Sequence, residues 1–184
     1  TVTADGGLDL VFVASDHETV LPHEIERWNP VGPSFVWVRV PTIAQGETFY
    51  MYFDGLPEDE PPDPTLVWPD HYRGVWHLGG DVTDSTQYVN TATGDVIAQP
   101  GHVADGVVLD DADGALPPVA PATDSMANVF ATGGTVSAWV RTTGLQVLGS
   151  SILQKAAGDD GDDGWQFDFD GLEFRFQRGF ASGR

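Results

Sequence analysis

Apolar side chains in this sequence recur at every second residue, and that period constrains the fold more than any other feature of the chain. Leu8, Leu10 and Phe12 alternate with Asp9 and Val11, and FVWVRV at 35–40 and FYMYF at 49–53 are short β-branched and aromatic runs. A period of two sends successive side chains to opposite faces of a strand, whereas a helix needs its apolar residues three and four apart. No stretch meets the helical spacing, and residues 124–131 suffice for one short turn at most. The pattern predicts an all-β fold.

Further strands are expected at VWHL (75–78), GVVL (106–109), TVSAWVR (135–141) and SILQK (151–155), with DDADG (110–114) as a tight turn. The clearest local signal is WQFDF-DG-LEFRFQ at 165–177, two alternating runs around Asp170-Gly171. A two-residue turn there sets Phe169 opposite Leu172, Phe167 opposite Phe174 and Trp165 opposite Phe176 on a core face. The other, wet face then carries Asp168 opposite Glu173 and Gln166 opposite Arg175.

Between these halves, residues 56–64 read LPEDEPPDP, with four prolines and four acids in nine positions. Proline removes backbone donors and the acids repel one another, so an extended linker is expected. It divides the chain into a module at 1–55, a linker at 56–64 and a module at 65–184. Fifty-five residues are few for an independent core, so the first module is expected to lean on a neighbour or to lack a piece.

Charge restricts the partners. The chain carries 28 Asp and Glu against 8 Lys and Arg, a net charge of −20, and Lys155 is its one lysine. Phosphate contacts need clustered bases, so nucleic acid is excluded as a partner, and an anionic membrane surface is disfavoured. No apolar run reaches membrane-spanning length. Cysteine is absent, so there is no disulfide framework, thiolate metal site or thiol nucleophile. The sequence starts without methionine or a signal peptide, as expected of a chain processed or cut from a longer one.

LPHEIERWNP followed by FVWVRVPTIAQGETFYMYF resembles a β-domain of bacterial surface proteins whose function is not known. That domain commonly precedes a laminin G-like (LamG), concanavalin A-like lectin/glucanase module. The second half is similar to such a module through VWHL, DST at 84–86, GVVLDDADGALPP, GTVSAWVRTT, ILQKAAG and the final hairpin. The resemblance implies a small β-sandwich module followed by a partial concanavalin A-like jelly roll. Against it, the first module lacks the family's opening strand and the second stops where a LamG domain continues. An internal fragment with further domains in the same polypeptide is the expectation, located outside the cell, at its surface or in the periplasm.

Candidate chemistry is confined to a few places. The loop GDDGDDG at 158–164 places Asp159, Asp160, Asp162 and Asp163 among glycines, a set of hard oxygens suited to calcium, which LamG-like domains often carry. A solvated hairpin loop is the alternative. Asp84 is a further calcium candidate beside Asp81 and 110–113, with turn capping as its other role. DFDGLE, containing Asp168, Asp170 and Glu173, resembles the E-x-D-x-x-E strand of concanavalin A-like glucanases, where paired carboxylates cleave a glycosidic bond. Here the first position is Asp, and Asp170-Gly171 reads as a hairpin tip. In the register above, Asp168 faces Glu173 as a like-charge pair, which predicts a weak cation site or a cluster bridged by Arg175. The five histidines form no zinc motif, and VWHL makes His77 structural. Of six tryptophans, Trp68 beside Pro69 is the best placed for exposure and sugar stacking; its other role is to lock the modules together.

The expected function is a non-catalytic binding or adhesion module of an exported bacterial protein, with a glycan or a surface protein as ligand and calcium assisting. A glycoside hydrolase using Asp168 and Glu173, or a spacer in a surface stalk, are the alternatives.

Overall fold

The computed structural model describes residues 5–54, 62–94, 96–109, 119–120, 123–127, 129–142, 150–155, 164–171 and 173–178. It is all-β: among the described residues, ten strands form four small antiparallel sheets and the only helical elements are two 3-10 turns. By their contacts, residues 1–121 and 122–184 make two compact units. This division does not coincide with the linker at 56–64 read from composition, because Leu66, Trp68, His77 and Ser85 contact Arg39, Glu24 and Glu26.

In the first unit, strands β1 (Val11–Val13), β2 (Val20–Leu21) and β5 (Tyr50–Tyr52) form a sheet in the order β2-β1-β5. Strands β3 (His23–Arg27) and β4 (Phe35–Val38) form a second, with a bulge between Ile25 and Arg27. Leu10, Phe12 and Leu21 are buried together against Ile25, Val36 and Val38, so the two sheets share one apolar core. Alternation explains the rest. With Ile25, Val36 and Val38 facing that core, Glu24, Glu26 and Trp37 face the other way.

That outer face is covered by the chain following the linker. Asp63 caps a 3-10 turn at Pro64–Leu66, its carboxylate accepting from the Thr65 backbone N–H at 2.9 Å and from the Thr65 hydroxyl at 2.7 Å. Trp68 follows, packed at a tilt against Trp37 with ring centres 5.4 Å apart. Strands of the first fifty-five residues are thus packed against their own downstream segment. Strands β6 (Ala98–Pro100) and β7 (Asp105–Val107) pair within the same unit.

Two expected strands are not formed. Residues 75–78 make only an isolated bridge, Trp76 with Asp84, and 135–141 run without strand pairing among the described residues. Alternation marks a segment that can be a strand; the ladder of hydrogen bonds must come from a partner. At 123–127 a single turn forms, closed by Ala127 N–H on the Thr123 carbonyl at 3.2 Å.

The second unit is built on β8 (Ser151–Lys155), β9 (Trp165–Asp170) and β10 (Glu173–Arg178), in the order β10-β9-β8. The hairpin is present, but its register differs by two residues from the expected one. Asp170 pairs with Glu173, Phe169 with Phe174, Asp168 with Arg175 and Phe167 with Phe176. Gly171 takes φ +69°, the left-handed region that favours glycine. A shift of two leaves every side chain on its face, so the aromatic side survives: Phe130 packs edge-on against Trp165 and Phe176, with centres 5.3 and 5.2 Å away. The opposite face of β9 is not wet. Gln166 and Asp168 are buried there because β9 is the central strand.

Candidate functional site

Three polar groups on the outer face of the β3-β4 sheet meet three from residues 68–85. Glu24 is buried and its carboxylate accepts from the Ser85 hydroxyl at 2.5 Å and from the Trp68 indole N–H at 2.7 Å. Glu26, at the bulge, reaches the same cluster and accepts from the Trp37 indole N–H at 2.6 Å. His77 lies between the two acids, Nε2 3.2 Å from Glu24 and Nδ1 3.3 Å from Glu26. The Nε2 contact with Glu24 is an ion pair whenever the imidazole is protonated.

The electrostatics follow from this packing. Burial pushes the Glu24 carboxyl up, but the contact with His77 and the hydrogen bonds from Ser85 and Trp68 outweigh it and hold it below the usual 4.5. Burial likewise opposes charge on His77, while Glu24 first and then the charges of Glu26 and Asp81 raise it above 6.5. Ser85 donates to a carboxylate and has no imidazole to take its proton, so the group lacks the order of a hydrolytic triad. What the cluster does is brace: it ties two strands to the 68–85 segment and fixes the indole of Trp68.

Held by Glu24 at its N–H, by Trp37 on one side and by the edge of Tyr72 at 5.2 Å, Trp68 forms one wall of an open groove of about 330 Å³. Arg39, Thr65, Leu66, Pro69, Asp70 and Gln87 complete the lining. Arg39 is fixed by donating to the Leu66 carbonyl at 3.1 Å. Trp68 thus joins the 68–85 segment to strand β3 and also lines a groove. The Glu24–Glu26–His77 cluster was missed by sequence reading. Its one local signal is the pair of acids two apart in HEIER, a spacing that favours one strand face.

Asp84 is buried with both oxygens engaged. One accepts from the backbone N–H groups of Val75 and Thr86 at 2.9 and 3.0 Å. The other accepts from the Thr86 hydroxyl at 2.8 Å and the Asn90 N–H at 2.7 Å. Four donors converging on one carboxylate are turn chemistry and leave no lone pair aimed outward for calcium. Asp159, Asp160, Asp162 and Asp163 lie outside the described residues. Among those that are described, no three His, Cys, Asp or Glu side chains converge to hold a metal ion.

Asp168 and Glu173 are not brought together. Asp168 is fully buried and accepts from Arg175 Nε at 3.0 Å and Nη2 at 2.8 Å, from Gln166 at 2.6 Å and from Gln177 at 3.2 Å. Arg175 also reaches Asp170 at 3.3 Å. An arginine-bridged carboxylate pair does form, but its members are Asp168 and Asp170. In the expected register Asp168 would have faced Glu173; in the observed one it faces its counter-charge.

Comparison of the chain with protein-family models, with curated proteins and with solved structures gives no match. No helix among the described residues is long and apolar enough to cross a membrane.

Proposed function

We propose that this chain is a non-catalytic binding module of an exported bacterial protein, and that its first unit takes a glycan in the groove at Trp68. One observation supports the reading above the others: the indole on the groove wall is immobilised by a buried carboxylate and two flanking rings. A sugar ring stacks on an aromatic face, and a face held in place before binding loses little freedom when the ligand arrives. Arg39, Asp70 and Gln87 around it offer donors and acceptors of the kind that fix a hydroxyl-rich ligand. The exported setting rests on the sequence resemblance.

A glycan array probed with the whole chain tests this. Retention of defined glycans is expected, with Gln87→Ala and Arg39→Ala each weakening binding about 5- to 50-fold at unchanged melting temperature. No retained glycan, or retention indifferent to both substitutions, would sink the reading. A chelator arm tests the calcium expectation attached to Asp159, Asp160, Asp162 and Asp163. The hydrolase alternative gains nothing from the geometry of Asp168, whose oxygens are taken up by Arg175 and two glutamines.

A further inference from the structure

Strand β5 is the edge of its sheet: Tyr50, Met51 and Tyr52 pair with β1 on one side, and no described strand pairs with the other. In an antiparallel strand alternate residues direct their N–H and C=O outward, so this edge is a template for another strand. It is also unusually apolar. Phe49, Tyr50, Met51, Tyr52 and Phe53 are all between 36% and 50% exposed, five consecutive large side chains left half in water. Tyr50 stacks on His17 at 4.1 Å and Tyr52 is hydrogen-bonded to the same ring, so these side chains are held in place.

Beside the strand, a hollow of about 190 Å³ opens among Ala14, Leu21, Val40 and Phe49, with Glu47 at its rim. Charge around the edge has one sign. Glu47 lines the hollow, Asp54 follows the strand, and Asp16 and Glu18 flank His17, whose ring sits on Tyr50; the sequence holds no lysine or arginine before Arg27 or between Arg39 and Arg73. Three hydrogen bonds from Thr19 and Glu18 keep the Asp16 carboxyl down at about 2, so it stays charged at any ordinary pH.

We propose that the β5 edge is a docking site for an extended, lysine- or arginine-bearing segment of a partner protein, added as a further strand. Main-chain hydrogen bonds to β5 supply the pairing, and the hollow takes one side chain. A basic side chain suits that hollow, because its aliphatic stem lies on Val40 and Phe49 while its charged end reaches Glu47. A second copy of this chain is a poor occupant. Each copy carries −20, and antiparallel pairing centred on Met51 sets Asp54 of each opposite Thr48 of the other, next to Glu47. The proposal is independent of the groove at Trp68.

Three synthetic peptides test it on the full chain: TKVRVKT, its acidic counterpart TEVEVET, and TKVPVKT, in which proline removes a central donor. The basic peptide is expected to bind at least about tenfold tighter than the acidic one at low salt. It should slow amide exchange at Tyr50–Tyr52, and Glu47→Gln should weaken it several-fold. Equal binding of the acidic peptide or of the proline peptide overturns the proposal. So does failure of TKVRVKT to bind, slowed exchange elsewhere but not at β5, or a dimer of the free chain with its β5 amides already protected.

Discussion

His77 sits between Glu24 and Glu26 with a carboxylate at each ring nitrogen, so its charge is part of what holds residues 68–85 onto the β3-β4 sheet. Its pKa is raised above the ordinary 6.5, so the stabilisation is complete below 6.5 and is lost as pH climbs through the raised folded value. Glu24 is lowered below 4.5, so its share is complete above 4.5 and is lost as pH falls through the lowered value. Together they place the brace at full strength between 4.5 and 6.5. His23 works in the opposite sense, since burial, only partly offset by a hydrogen bond at Leu21, lowers its pKa and its contribution fades as pH falls. Comparison with His77→Gln separates the two. Urea unfolding from about pH 4 to about pH 9 should show the wild type losing its advantage over the variant as pH rises above 6.5. A difference that stays constant or widens there would contradict the bridged imidazolium. None of this cluster could be read from proximity in sequence, because Trp68 and Ser85 meet Glu24 from 44 and 61 residues away. Sequence alternation names the face a side chain takes, not what will cover that face.

At the scale of the element, the β9-β10 hairpin shows where such reading stops. Aromatic alternation fixed the strands, their faces and the position of the turn to within a residue. It could not fix the register, since a slip of two keeps every side chain on its side of the sheet. Charge separates the two registers. One sets Asp168 against Glu173, while the other sets it against Arg175 and provides a bidentate pair. The strands at 75–78 and 135–141 were overread for a related reason: a periodic segment still needs an edge to pair with. If Asp168 anchors the hairpin, Asp168→Asn should lower the melting temperature by several degrees, because a buried site built around a carboxylate keeps its donors and loses the charge they address. Asp170→Asn should shift it by about one degree at most, since that side chain is 55% exposed and makes a single 3.3 Å contact. Equal effects of the two substitutions would mean that aromatic packing alone sets the register.

Over the whole molecule, 28 acids face 8 bases, and the described ion pairs engage few of them: Arg27 with Asp105, Arg175 with Asp168 and Asp170, His77 with Glu24 and Glu26. Most carboxylates therefore contribute repulsion across each compact unit, and expansion on unfolding relieves it. Salt removes the same repulsion without unfolding, because the screening length falls from about 10 Å at 0.1 M to about 3 Å at 1 M. The pairs made by Asp168 and Glu24 are shielded from salt because both carboxylates are buried, whereas Arg27–Asp105 and Arg175–Asp170 are partly exposed and contribute little. Melting temperature should consequently rise by several degrees between about 0.05 M and 0.5 M sodium chloride and then level off as screening becomes complete. A continued linear rise would instead indicate salt exclusion from the surface. A fall would mean that paired charges, not unpaired acids, dominate the stability of the folded chain. Calcium chloride at matched ionic strength distinguishes general screening from a specific cation, because only a site that gathers carboxylates responds beyond the sodium curve.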